Sequence, residues 1–344
     1  LYMTFMMRTT GLVLAALVIL AGTAISGKPE VNGLVQGQYE DQVGEHSRFL
    51  LRTARIGISG DLTDEVSAMV QIDAALDPII LDALIKYDLS RYALFTAGQF
   101  KIPFGFETSI TRFELEAIER SLVVSHLMNN GMSAPYLRDL GLMVTGKYMA
   151  FTYDVAVVNG TGYDYTDSTG SANRLLRLGA DNNDSKDIVA RVGVGVPMLA
   201  GLGFSVYQGK WADHPNRDAW GLYFQVDTGR VIFQYEYIRG KGRLLEVEPQ
   251  GDDGLLVQEE WQSDKFSGYY LVLGYRIRPY IEPVVKLDKL DPDWDQSDDK
   301  LTDMHYGLNF NLERKARLQV FYREGKMGDS YRNHGWLAQV SAKF

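Results

Sequence analysis

The sequence predicts an all-β protein, a transmembrane antiparallel β-barrel of sixteen strands. Three observations carry this. From Val31 onward, apolar and polar residues alternate with period two, as in Val66, Ala68, Val70 and Ile72 against Glu65, Ser67, Gln71 and Asp73. In a strand these two sets point to opposite faces. Sixteen such runs fit between residue 31 and the final Phe344. The connections between them alternate in length, short on one side and long on the other, which is the pattern of an outer-membrane barrel with an even strand number.

The runs lie near 31–40, 48–58, 65–74, 80–88, 92–101, 136–146, 150–159, 187–196, 201–212, 218–227, 230–239, 266–277, 280–289, 302–312, 316–324 and 335–344. Each strand with its connection takes about 20 residues, which leaves room for spanning strands of roughly 9–11. Tight connections follow even-numbered runs: SGDLTD, LSR, GKYM, PMLA, TG, RP and ERK. Longer, more polar ones follow odd-numbered runs: DQVGEHS, residues 102–134, Gly160 to Lys186, Lys241 to Lys265, and LDPDWDQSDDK. An aromatic last residue, Phe344, suits the end of such a barrel.

Residues 1–26 read as a cleaved signal peptide. Arg8 supplies the positive region, Gly11 to Gly22 the apolar core, and Ala24 and Ser26 the small residues before the cleavage point. The remaining 27–344 read as one barrel domain, with no boundary inside it.

The long connection after the fifth run, about 102–134, carries its own structure signals. Thr111 and Glu114 have capping-box spacing. Phe113, Leu115, Ile118 and Leu122 follow at helical spacing, and Asn129-Asn130-Gly131 is a stop signal. The expectation is a short amphipathic helix on a loop folded into the barrel mouth, setting the width and charge of a constriction.

Composition narrows the function. The chain has 344 residues, a net charge of −9 and no cysteine. An acidic balance argues against nucleic acid, whose phosphates need clustered Lys and Arg. Without cysteine there are no disulfides and no thiolate nucleophiles or ligands. The five histidines are scattered, with no HExxH and no GxSxG, so neither a metal site, a cofactor nor an enzyme is expected. Ser267 and His305, the nearest approach to a hydrolase pair, lie on different predicted strands. The segment Asp181 to Asp187 lacks the glycine and distal glutamate of a calcium loop. The acidic run from Asp291 to Asp299 suits a solvated outer loop, or one bridged by divalent ions to lipid headgroups.

In a barrel, solute contact falls to the inward polar face, where Lys and Arg favour anions and Asp and Glu favour cations. The candidates for lining the pore are Lys86, Lys101, Arg191, Lys286, Arg317 and Arg323 on strands, with Arg112, Glu116 and Arg120 on the inserted loop. Carboxylates such as Asp73, Asp82, Asp154, Glu236, Glu282 and Asp288 share that face, so many of these charges are expected to pair. Lys101, Arg112 and Arg120 are the strongest candidates, because they sit at or on the inserted loop.

The runs RTARIGISGDL, GQFKIPFGFE, RDLGLMVTGKY, YDVAVVNGTG, FQYEYIRG and YIEPVVKLD resemble the phosphate-selective porin O and P family, GQFKIPFGFE most specifically. The resemblance implies a sixteen-stranded porin in the bacterial outer membrane, a homotrimer with an inward third loop. It implies passive diffusion of small hydrophilic solutes or ions, and anions such as phosphate in particular. Its partners would be outer-membrane lipid, lipopolysaccharide and inorganic anions. Lys101 falls in the matching motif, and Arg112 and Arg120 follow it. Glu107, Glu114, Glu116 and Glu119 share the same loop, and a full lysine cluster or arginine ladder does not map onto the chain. The alternative reading is a structural or adhesive barrel with a blocked lumen.

Overall fold

The computed structural model describes residues 28–344 apart from 45, 77–79, 130–137, 161–183, 197–198, 211–215, 245–261, 297, 313–314 and 329. The expected signal peptide, the end of the 102–134 connection, and most of the connections Gly160 to Lys186 and Lys241 to Lys265 lie outside the described residues. So do residues 181–183 of the segment from Asp181 to Asp187.

Sixteen strands close on themselves in sequence order, all antiparallel. They are β1 (Glu30–Gln42), β2 (Arg48–Asp61), β3 (Val66–Asp73), β4 (Ile80–Ser90), β5 (Ala93–Lys101), β6 (Arg138–Tyr148), β7 (Phe151–Val158) and β8 (Asp187–Val196). The second half holds β9 (Ala200–Lys210), β10 (Asn216–Asp227), β11 (Val231–Leu244), β12 (Gln262–Tyr275), β13 (Ile281–Asp291), β14 (Leu301–Leu312), β15 (Ala316–Met327) and β16 (Ser330–Lys343). Each matches one sequence-predicted run, because period-two patterning persists wherever the two faces of the wall meet different surroundings. The barrel closes where β1 pairs with β16, from Leu34 opposite Lys343 to Gln42 opposite Gly335.

The wall has one apolar and one polar face. Val155, Val157, Ile188, Val192, Leu202, Phe204, Leu222 and Phe224 are exposed on the outer face. Their alternates on the inner face are buried: Asp154, Val189 and Ser205 among them. Aromatic pairs mark both margins of the apolar band. Tyr92 and Tyr148 meet at 5.6 Å near the short turns. Trp220 and Tyr237 meet at 5.4 Å, and Tyr322 and Trp336 at 5.3 Å, toward the long connections. Such girdles sit at the two water interfaces of membrane barrels.

The helix starts later than the sequence predicts. Around Thr111 there is only a 3-10 turn, Arg112–Glu114, with the Glu114 carboxylate accepting the Thr111 amide at 2.7 Å. The chain is extended at Leu115. The one described α-helix is α1, Leu122–Asn129. Ser121 caps it, its hydroxyl facing the Val124 amide at 3.4 Å. Its end at Asn129 agrees with the stop signal. Val123, Val124 and Leu127 are buried against Phe266 and Leu290, on inner-face positions of β12 and β13.

Candidate functional site

The segment from Ile102 to Asn129 is bonded to inner-face residues all round the barrel. Gly105 begins this. Its φ is +70°, and a Cβ there would lie 2.2 Å from Glu236 Oε1. Only glycine accepts both the left-handed backbone and the close approach. With a bare backbone at 105, the Gly105 amide reaches Ser205 Oγ at 3.0 Å. The Phe106 and Glu107 amides reach the two Glu236 oxygens at 2.8 and 3.0 Å. Tyr270 donates to the same carboxylate at 3.0 Å. Farther on, the Leu122 amide donates to Asp288 at 2.8 Å. Arg52 pairs with Glu119 at 2.7 Å. Asn309 and Arg317 donate to the carbonyls of Glu116 and Leu115, each at 2.9 Å. These bonds reach from β2 to β15.

Two apolar clusters fill space on the inner face. Ala117 and Ile118 pack with Tyr270, Val272, Val284, Phe321 and Leu337. Residues of α1 join Phe100, Ile102 and Phe104 against Val189, Tyr207, Ile238 and Phe266.

One small space beside the segment is strongly basic. Arg55, Lys101, Arg112, Arg120 and Arg138 line one cavity of about 20 Å³, with Thr108, Thr111, Leu76 and Met128. An adjoining cavity of about 150 Å³ shares Arg112, Arg120 and Met128 with it, and adds Arg52, Glu119 and Ser125. Three of the five cations have carboxylate partners: Arg55 with Asp73 at 3.3 Å, Arg138 with Asp82 at 2.8 Å and Arg120 with Glu107 at 3.9 Å. Lys101 donates to the Ile110 carbonyl at 3.2 Å. Among the described residues, neither Lys101 nor Arg112 has a carboxylate within ion-pair distance. Burial, with Arg52 and Arg120 adding to it, lowers Arg112 to about 10, so the guanidinium is still charged at neutral pH. Burial would raise Glu119, but Arg52, Gln38 and Arg112 outweigh it and hold it below the ordinary carboxylate range.

The other sequence candidates are placed elsewhere. Glu116 and Arg317 bond to each other beside a cavity of about 890 Å³ near the short turns, with Arg276, Glu282 and Lys343. Burial, against the pull of Arg317 and with help from Glu282, raises Glu116 to about 7. Arg191 pairs with Asp154 at 2.8 Å and donates to the Gly105 carbonyl at 3.0 Å. Lys286 is 1% exposed, paired with Asp288 at 3.2 Å and donating to the Glu119 carbonyl at 3.0 Å. Arg323 pairs with Asp303 at 3.3 Å. Lys86 lies half-buried on β4 between Ser67 and Thr96, apart from the basic cavity. Ser267 bonds Trp294 on the outer face while His305 is buried on the inner one, so they do not meet.

Arg55 and Arg138 are the residues that the sequence reading missed. Arg138 is the ladder partner of Lys101, a relation visible only once the register across the inserted segment is known.

Residues 31–191 match the family model described as phosphate-selective porin O and P, a span that holds all five cavity cations. No curated protein matches the chain. Among solved structures, the barrel is similar to OmpF of Salmonella typhi in its complex with daunomycin, with 10% identity, a TM-score of 0.66, and 92% of this chain and 98% of that one covered. The outer membrane channel DcaP of Acinetobacter baumannii gives 14% identity and a TM-score of 0.60, over 92% of this chain and 97% of that one. The trimer form of OmpT from Vibrio cholerae gives 9% and 0.58, over 92% and 98%. These likenesses are of fold. The protein is thus a closed sixteen-stranded porin-fold barrel whose residues 31–191 match the phosphate-selective porin O and P family.

Proposed function

We propose that this barrel is a passive outer-membrane channel that favours small anions, phosphate among them. The segment from 102 onward lies across the lumen and sets its narrowest part. The observation that carries the reading is the basic cavity, where Lys101 and Arg112 are left without carboxylate partners. Low-dielectric walls strengthen such a field and raise the local anion concentration. Lys286 holds the segment in place instead of meeting solute, whereas Arg317 and Arg191 both hold it and line the larger cavities of about 890 and 680 Å³. The porin family match and the similar porin barrels support the membrane and channel parts of the reading. The trimeric OmpT supports a homotrimer.

The test is the reversal potential of the reconstituted protein in a salt gradient, with and without added phosphate. Anion selectivity reduced by millimolar phosphate is the expected result. Cation selectivity with no phosphate effect would leave a general channel.

One observation favours a second reading, a blocked structural or adhesive barrel: the apolar clusters occupy much of the inner face, and the basic cavity has room for about one water. No conductance from a folded, reconstituted barrel would favour this reading over the channel.

A further inference from the structure

The outer face carries a feature that neither channel function nor folding accounts for. On the ladder between β11 and β12, Lys241 lies directly opposite Lys265. Their chain neighbours Gly240 and Phe266 face inward, Phe266 being buried, so both lysines point outward, and both are exposed. Like charges directly opposite on one face of a sheet repel and destabilise it. Exposed Arg239 lies two residues from Lys241, stacked over the Trp294 ring at 3.8 Å. Exposed Lys289 on β13 is the ladder partner of Tyr269, itself opposite Tyr237. Among the described residues, none of these four cations has an ion-pair partner. Four carboxylates lie near the patch among the described residues. Asp291 is bonded to Lys300 at 3.3 Å, and Asp218 is half-buried. Asp293 and Asp295 flank Trp294, whose amide donates to the Lys265 carbonyl at 3.0 Å; Asp293 is buried and accepts the Asp295 amide at 2.9 Å, and Asp295 is exposed.

The position of the patch identifies its occupant. Trp220, Tyr237 and Tyr269 form the outward aromatic row at this place, with Trp220 and Tyr237 at 5.4 Å and Tyr235 and Tyr269 at 6.1 Å. Aromatic girdles lie at headgroup level. Lys241 is four residues beyond Tyr237, about 13 Å farther along the strand. The cations therefore begin where apolar tails end, at the long-connection margin. We propose that Arg239, Lys241, Lys265 and Lys289 form a binding site for the phosphate groups of a phosphorylated lipid in the outer leaflet. The Lys241–Lys265 pair would bridge one phosphate, and the Tyr237–Tyr269 row would lie against the lipid's glycan-acyl junction. The site rests on the membrane reading above but not on solute selectivity.

The test uses the folded full-length barrel in neutral detergent, with bis-phosphorylated lipid A and its dephosphorylated form as probes, followed by native mass spectrometry. The chain is expected to retain the phosphorylated form at least tenfold better. The variant K241Q/K265Q/K289Q, which keeps the Arg239–Trp294 stack, should lose most of that difference with unchanged conductance. A control, R91Q/K147Q/R230Q, removes three exposed cations from the short-turn end and should bind as the unaltered chain does. Equal retention of both lipid forms would overturn the proposal, as would equal losses in both triple variants. Protection of Lys241 and Lys265 from acetylation in a lipid-free oligomer would also overturn it, because a second copy of the chain would then cover the face.

Discussion

Gly105 and Glu236 approach each other so closely that a single added methyl carbon at 105 would lie 2.2 Å from the Glu236 carboxylate. This contact fixes where the inserted segment turns after β5. Gly105→Ala therefore meets both a positive φ and a clash. The expected cost is about 1–3 kcal/mol, read as a lower midpoint of thermal unfolding in detergent. An unchanged midpoint would mean that the segment is not anchored at this turn.

Glu236→Gln keeps the shape of the anchor but replaces one acceptor oxygen with an NH2 that faces a backbone donor. One of the Phe106 and Glu107 amides then loses its partner, at about 1–3 kcal/mol. If the segment narrows the lumen, single-channel traces should become noisier, with openings above the unaltered level. Quiet traces of normal amplitude would show that the segment is held without this carboxylate.

Arg112→Gln removes one of the two unpaired charges of the basic cavity. The reversal potential should shift toward cation selectivity, and phosphate should lose much of its effect. Arg323→Gln, which removes a cation already paired with Asp303 at 3.3 Å, should shift it less. The opposite ranking would move the selective site away from the cavity.

Glu116, raised to about 7, is neutral below that value and charged above it. Anion selectivity should therefore increase as pH falls from 8.5 to 5.5, and Glu116→Gln should flatten the response. Stability runs the same way. The folded carboxyl binds its proton more tightly than the unfolded one, so its contribution is full below the ordinary value of about 4.5 and is lost as pH rises through about 7. A pH profile shared by the wild type and Glu116→Gln would assign the titration to another group.

Ile118→Ala should cost about 2–4 kcal/mol, because Ile118 is 4% exposed among Tyr270, Val272, Val284, Phe321 and Leu337. Chemical unfolding of the folded barrel measures it directly. A cost near zero would mean that the cluster closes around the vacancy.

The strands were legible because each one separates two unlike environments, which imprints alternation on every run. The helix was less so. Thr111 and Glu114 do form their local bond, yet the turn stops at Leu115 because the next carbonyls are taken from outside. Leu115 and Glu116 accept from Arg317 and Asn309, and Glu119 accepts from Lys286. Tertiary acceptance of those groups outweighs local helix propensity. The period of the sequence marked Lys101 and Arg112 but not their company, since Arg138 joins Lys101 only through a register fixed on the far side of the insertion.

The inner wall thus divides by tolerance to change. Where α1 and Ile118 dock, on β8 to β16, each buried side chain is fitted to a neighbour, and a substitution there is paid for in folding. Around Arg55, Lys101 and Arg112 the half-buried side chains are held by polar and ionic contacts more than by apolar packing. Substitutions on β5 and at Arg55 and Arg112 can therefore alter the charge of this space at less cost to folding than substitutions on the strands against which α1 and Ile118 pack.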